Sequence, residues 1–366
     1  MVGQLFSPPA LKRYGPQIIQ LVEQLITELA TPGLPLSQAK GIQQTQNIPQ
    51  TKYLNQAQGL PLAPRLRRFA FEVIATVVLG LRGQNLEALF LDFEIWSKGL
   101  FALPLAIPGT AFAQALAARG RLLQQLQSLL VEAQQAAARG EPWAAAGLDL
   151  LAGGLDEAGL PLSEADLVEQ LLLLLFAGYE TTASTLSCLM LALLQQPQLL
   201  AWLGEELDQL AWPPAADQVA AAYDPTRAPR LDAVVQEVMR YTPPVGGFFR
   251  LTTAEVVLDG VLVPAERVVQ VALAASNRYA NGSESHNLDL FRPQRHLDGG
   301  CPANLLPFGA GERVCLGRSL AELEIRLLAV GLLQRLRLEL VPGQNLDLQM
   351  FPSPTPKAGL LVRLRP

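Results

Sequence analysis

Apolar residues recur every third or fourth position in run after run along this chain, the spacing of one buried helix face. Leu11 to Ala30 carries Ile18, Leu21, Leu25 and Leu29 in that register. Thr31 to Pro64, with Pro, Gly and Gln scattered through it, reads as loop or short strands. Leu66 to Leu79 is a second helical run, closed by Gly80, and Asn85 to Leu103 a third, ended at Pro104. After Pro108-Gly109 a long Ala-, Leu- and Gln-rich run extends from about Phe112 to Ala138, and Gly140 to Pro161 is a connector. Ser163-Glu164-Ala165-Asp166 opens the longest run, which reaches Gln195. Pro197 to Leu210 and Leu231 to Tyr241 follow, the latter stopped by Pro243-Pro244. From Arg250 the period shortens to two. Glu255 to Leu258, the turn Asp259-Gly260, Val261 to Val263 and Val268 to Ala272 predict strands and a hairpin. Coil from Asn277 leads to a last helix, Ser319 to Leu336, with Leu320, Leu323, Leu327 and Val330 in register. Ser319 and Glu322 have capping-box spacing at its start. Strand-like runs at Leu338 to Val341 and Leu360 to Leu364 close the chain. The expected fold is mainly α with a small β-sheet subdomain in the carboxyl-terminal half.

Composition narrows the reading. Half of the 366 residues are hydrophobic and 17% are charged, so a large buried core is expected. A net charge of -5 with no Lys/Arg block argues against a nucleic-acid partner. Three cysteines make no disulfide framework, which suggests a reducing, cytoplasmic setting and a soluble protein. Two histidines, His286 and His296, exclude a multi-His metal site. Leu171 to Leu194 is apolar enough to span a membrane, but Glu180, Thr181, Thr182, Ser184 and Ser187 in its middle fit a buried central helix better.

The densest chemical signal is Phe308-Gly309-Ala310-Gly311-Glu312-Arg313-Val314-Cys315-Leu316-Gly317. Cys315 lies in a glycine-rich turn just before a helix, where unpaired backbone N–H groups favour a thiolate. A zinc cage or iron–sulfur cluster would need more ligands than one cysteine supplies. A haem iron needs one strong protein ligand, and Arg313 is placed to pair with a propionate. The bland alternative is an inert cysteine in a turn. Ala177-Gly178-Tyr179-Glu180-Thr181-Thr182 interrupts the long apolar helix; Gly178 weakens it, and a Thr hydroxyl can bond a carbonyl one turn back. Taken alone that pattern equally describes a hydrated weak spot. Glu237 and Arg240, three apart, share a helix face and, alone, read as an ordinary surface pair.

Together these motifs resemble the cytochrome P-450 family, the haem-thiolate monooxygenases. The pattern Phe-x-x-Gly-x-Arg-x-Cys-x-Gly is complete, and Glu180, Glu237 and Cys315 follow one another at family spacing. The resemblance implies haem b with Cys315 as axial ligand, contacted by Arg313, Arg250, Phe308, Gly309, Gly311, Gly317 and Ala177. It implies Thr181 as the alcohol of oxygen activation with Glu180 as its acid partner. Glu237 and Arg240 would be joined by Arg295, from Phe291-Arg292-Pro293-Gln294-Arg295, in a buried ion-pair triad that holds the cysteine loop. Phe176, Val245, Phe248 and Phe351 would line the substrate pocket. The stretch from Gly99 to Phe112 looks like that of retinoic-acid hydroxylases and their cyanobacterial relatives, so a retinoid, terpenoid or fatty-acid-like substrate is expected.

That resemblance makes residues 1–366 one such domain, in which one atom of O2 enters an apolar substrate. Electrons would come from a ferredoxin- or flavodoxin-type donor. The match starts late, at Phe6, so the first helices and part of the family's sheet are expected to be lacking. A truncated haem-binding remnant with little or no turnover is the alternative. Smaller departures are Ala265-Glu266 in place of the usual Lys-Gly, and Tyr279-Ala280 in place of Asp-Pro.

Overall fold

The computed structural model describes residues 5–30, 59–80, 84–140, 159–215, 218–219, 223–279, 287–301 and 305–365. Most of the predicted loop before Pro64, most of the connector after Gly140, His286 and Ala280 lie outside them.

Nine α-helices are present among the described residues: α1 (Pro8–Ala30), α2 (Leu62–Val78), α3 (Gln84–Gly99), α4 (Ala111–Ala138), α5 (Glu164–Gln195), α6 (Pro197–Leu207), α7 (Pro229–Tyr241), α8 (Leu273–Tyr279) and α9 (Arg318–Arg335). The α1 helix starts earlier than its apolar period, because Pro8 and Pro9 occupy the first turn, where no N–H is needed. Ser163 caps α5 by accepting from the Asp166 N–H at 3.2 Å, as the sequence predicts. Helix α5 is the spine, with α2, α4, α6, α7 and α9 packed around it. It is the one helix among the described residues that is long and apolar enough to cross a membrane, and two-thirds of that apolar window is buried in the fold.

Close approaches of helices set two glycines. A Cβ on Gly178 would lie 2.5 Å from Ile74 Cδ1, so the glycine lets α2 seat on α5. A Cβ on Gly99 would lie 2.1 Å from that of Ala115. There α3 ends, four residues before the predicted stop at Leu103, and an exposed apolar loop follows through Ile107.

The described strands are β1 (Leu60–Pro61), β2 (Phe248–Leu251), β3 (Val256–Leu258), β4 (Val261–Val263), β5 (Val268–Val271), β6 (Leu338–Leu340), β7 (Leu348–Gln349), β8 (Thr355–Pro356) and β9 (Leu361–Leu364). They form one small sheet, in the order β1–β9–β6, and three antiparallel pairs, β2–β5, β3–β4 and β7–β8. Asp259 and Gly260 both take positive φ, 47° and 78°, as a two-residue hairpin turn of this hand demands. Two expectations fail. Residues 273–279 form α8 where coil was expected from Asn277 onward. The capping box at Ser319 does not form: α9 begins at Arg318, and Glu322 instead binds Arg318 and Arg326, at 3.0 and 3.7 Å.

Candidate functional site

The cysteine loop is shaped by its own backbone. Gly309 and Gly311 sit at φ 74° and 69°, conformations that glycine alone adopts without strain. The Cys315 N–H donates to Phe308 O at 2.9 Å and closes the loop. The backbone N–H groups of Gly317 and Arg318, at the mouth of α9, lie close enough to the Cys315 sulfur to favour its thiolate. Partial burial pushes the thiol up, and it ends above its usual range, while those two donors and the Arg318 guanidinium pull it down. The pull is what a bound cation would complete, since a ligated sulfur sheds its proton. Cys315 and its neighbours Val314 and Leu316 are exposed. Among the described residues no three His, Cys, Asp or Glu side chains converge. One sulfur with backbone donors and a bare apolar rim fits a porphyrin iron with a single protein ligand on one face.

The facing element is α5, which α9 touches through Thr182 Oγ1, donating to Glu324 Oε1 at 2.9 Å. Between Leu171 and Leu194 of α5, Leu173 and Ala177 are the exposed residues, and Thr181 is half-buried. Four residues apart, they make one open stripe. Thr181 Oγ1 donates to Ala177 O at 2.7 Å, the predicted bond one turn back. Glu180 is elsewhere. Its two oxygens accept from Arg67 Nη2 and Nη1 of α2, at 3.0 and 3.4 Å. The expected pairing of Glu180 with Thr181 is therefore absent, because Arg67 and Glu180 neutralise each other on the buried side of the helix. Arg67 also reaches Glu94 of α3 at 3.5 Å, stacks on the Tyr179 ring, and Tyr179 donates to Glu94. Burial opposes charge on Glu94, but Arg67, Lys98 and the Tyr179 hydroxyl hold it below the usual carboxylate range.

The triad is assembled and buried. Glu237, Arg240 and Arg295 are all fully buried. Arg240 Nε and Nη2 donate to Glu237 Oε2 and Oε1, both at 2.8 Å, and Arg295 Nε donates to Oε1 at 3.0 Å. The Arg292 N–H adds a bond at 2.7 Å. Spare guanidinium N–H groups bind the carbonyls of Asn277, Leu288, Leu290 and Asn287. The pair thus fastens the segment that leads to the cysteine loop. Burial alone would raise Glu237, but these donors bring it down to about 2.

The remaining predicted residues scatter around the opening. Ser353 Oγ donates to Pro244 O at 2.9 Å and Ser184 Oγ to Pro354 O at 2.7 Å. The turn carrying Phe351 is thereby set between α5 and the Val245 segment; Val245 and Phe351 are exposed. Phe351 meets Phe101 of the α3–α4 loop edge-on, centroids 4.6 Å apart. Phe176 is committed to Trp96 of α3, at 5.6 Å. Arg250 lies on the half-buried Phe248 ring at 4.3 Å. Among the described residues, no carboxylate pairs with Arg250 or Arg313, which leaves both cations for an anionic ligand.

Several residues were missed from the sequence. His296, next to Arg295, binds Glu237 Oε2 at 2.9 Å and is pushed up to about 9; burial lowers it, and its contacts to Cys301 and Glu237 outweigh that. Its place beside Arg295 was its only signal. Arg67, Glu94 and Tyr179 gave none, since their partners come from three helices. Glu324 was readable: it takes a core position between Leu320, Leu323 and Leu327.

A family model for cytochrome P450 matches residues 43–362. A putative cytochrome P450 120 of Synechocystis sp. is 36% identical over 306 residues, 82% of this chain and 67% of that protein. Cytochrome P450 26C1 of Homo sapiens is 27% identical over 393 residues, 100% of this chain and 70% of that one. The solved structure of retinoic acid bound cyanobacterial CYP120A1 superposes with a TM-score of 0.80 at 32% identity, covering 100% of this chain and 77% of the other.

Proposed function

The chain belongs to the cytochrome P450 family, a family of monooxygenases, and on that premise we propose that it inserts one oxygen atom of O2 into a small apolar substrate. Residues 1–366 act as one haem-thiolate domain. Haem b, when bound to Cys315, supplies the redox chemistry and the oxygen site. Everything else falls to the chain's own side chains.

Cys315 would hold the haem iron, presented by Gly309 and Gly311 at the mouth of α9. Phe308 backs the loop. Arg250 and Arg313 would receive the propionates. Glu237, Arg240 and Arg295 keep the loop's approach in shape. Ala177 and Leu173 offer the flat apolar strip of α5, and the Thr181 hydroxyl holds a proton at its edge, released from Ala177 O when it donates elsewhere. Glu180 acts by fixing that turn through Arg67, and so is a positioning residue. Val245, Phe248 and Phe351 exclude water from the substrate, with Phe101 above them. Retinoids are the substrate class best supported, by the retinoic acid in the similar structure; electrons come from a separate ferredoxin- or flavodoxin-type donor.

The observation that carries this reading is a lone, exposed cysteine set in a glycine loop at the mouth of α9. The test is the carbon monoxide difference spectrum of the reduced, haem-loaded protein. A thiolate-type red-shifted Soret band, lost in Cys315→Ser, is expected. An unshifted band, or no haem uptake, would refute it and favour a form without turnover. Titration with all-trans retinoic acid should then perturb the haem spectrum, and no perturbation would remove the retinoid assignment.

A further inference from the structure

All three cysteines are free: Cys188 is buried, Cys315 belongs to the loop described above, and Cys301 is half-buried, within reach of solvent. Cys301 follows His296 by five residues, and the stretch between them folds back. His296 ends a short 3-10 helix, Pro293–His296. Gly299 then takes a φ of 79°, and the Gly300 N–H donates to Asp298 Oδ1 at 3.0 Å. That return sets the Cys301 sulfur close enough to the imidazole to favour its cation.

The imidazole is itself held. Its Nε2 faces Glu237 Oε2 at 2.9 Å, which leaves the other ring nitrogen for the sulfur. Burial opposes charge on His296, but Cys301 and Glu237 outweigh it and push it up to about 9, so the ring keeps its proton at neutral pH. Arg240 and Arg295 converge on the same carboxylate. The carboxylate of the turn itself, Asp298, is taken up by Arg292 and by the Gly300 N–H. A thiol beside an imidazolium gives up its proton more readily and attacks as the thiolate. Nucleophile, imidazole and orienting acid within reach of one another is the arrangement of an activated cysteine.

We propose that Cys301 is a nucleophilic thiol, paired with His296 and oriented through Glu237, and that it is a site of oxidation to a sulfenic acid by hydrogen peroxide. In that step the thiolate sulfur attacks one peroxide oxygen, and an S–O bond forms as the O–O bond breaks. The sulfur is oxidised by two electrons. The peroxide is reduced by the same two, its departing hydroxide takes the His296 proton, and it leaves as water. His296 is then neutral, beside Glu237 alone. The chemistry is independent of the function proposed above, since neither the pair nor the oxidant involves the haem loop.

The test is alkylation of the whole purified protein by iodoacetamide at pH 7, native and unfolded in guanidinium, with each cysteine peptide followed by mass spectrometry. Native Cys301 should react at least about threefold faster than the same thiol in the unfolded chain, after allowing for the lower intrinsic reactivity of a more acidic thiol. Cys188 should react more slowly in the native protein, which certifies the fold. His296→Gln should abolish the Cys301 advantage. Brief exposure to hydrogen peroxide followed by dimedone should label Cys301, and about threefold less in His296→Gln. Native Cys301 that reacts no faster than unfolded would overturn the pairing from the parent alone, even if His296→Gln failed to fold. Fast alkylation with no dimedone adduct at Cys301 would overturn the oxidation.

Discussion

Replacing Glu237 by Gln keeps the shape of the side chain and removes its charge. The carboxylate is fully buried and receives donors from Arg240, Arg295, Arg292 and His296. Its drop from the usual 4.5 to about 2 is roughly 2.5 units, or about 3 kcal/mol at about 1.4 kcal/mol per unit. The folded value lies below the unfolded one. This stability is therefore complete above about pH 4.5 and lost as pH falls through about 2. The variant also leaves two guanidiniums buried without an anion, so a loss of about 3–5 kcal/mol is expected at pH 7. Urea unfolding of haem-loaded parent and variant, from pH 7 down to the lowest pH at which the parent stays folded, reads both quantities. The gap should be widest at neutral pH and narrow on acidification. A loss under about 1 kcal/mol, or a gap that does not change with pH, would refute the reasoning.

Other outcomes follow from single contacts. Thr181→Ala should leave haem binding intact and lower product formed per O2 consumed by about tenfold or more; unchanged coupling would take the hydroxyl out of the proton path. Arg67→Met strands Glu180, leaves Glu94 to Lys98 and Tyr179, and should cost about 3 kcal/mol in chemical unfolding, with Glu180→Gln in the same chain restoring part of it. Gly178→Ala pushes a methyl to within 2.5 Å of Ile74 and should cost about 1–2 kcal/mol, recovered in the double variant with Ile74→Ala. Glu266 holds φ 60° in a tight turn, so Glu266→Gly should stabilise the fold by up to about 1 kcal/mol of relieved strain, read as a slightly higher melting temperature.

Helix periodicity located eight of the nine α-helices because each carries its own buried stripe, and Asp259-Gly260 named its turn because few residues tolerate that backbone. Ends were less visible. Gly99 stops α3 because Ala115 of another helix presses on it, and Ser319 fails as a cap because Arg318 draws Glu322 away. The same contrast holds at the site. Cys315 and its glycines are contiguous, so the loop could be read directly; spacing put Glu237 and Arg240 on one face, and only the family resemblance joined Arg295 to them. Glu180 was assigned to its chain neighbour Thr181, yet its partner, Arg67, lies more than a hundred residues earlier. A helix places adjacent side chains about 100° apart, so contiguity there argues against a shared task. The unusual Ala265-Glu266 was flagged by comparison with the family's Lys-Gly, and its positive φ is the physical meaning of that difference.

The edge-on meeting of Phe101 with Phe351 has a dynamic consequence. A ring pair of this kind holds with about 0.5–1.5 kcal/mol. If it is the main tie across the mouth, the loop stands open in about a tenth to a third of molecules at any moment. Entry of a greasy molecule would then wait on thermal breathing and require no unfolding. Leu103 and Ile107, left bare on the same loop, would be the first surface such a visitor touches.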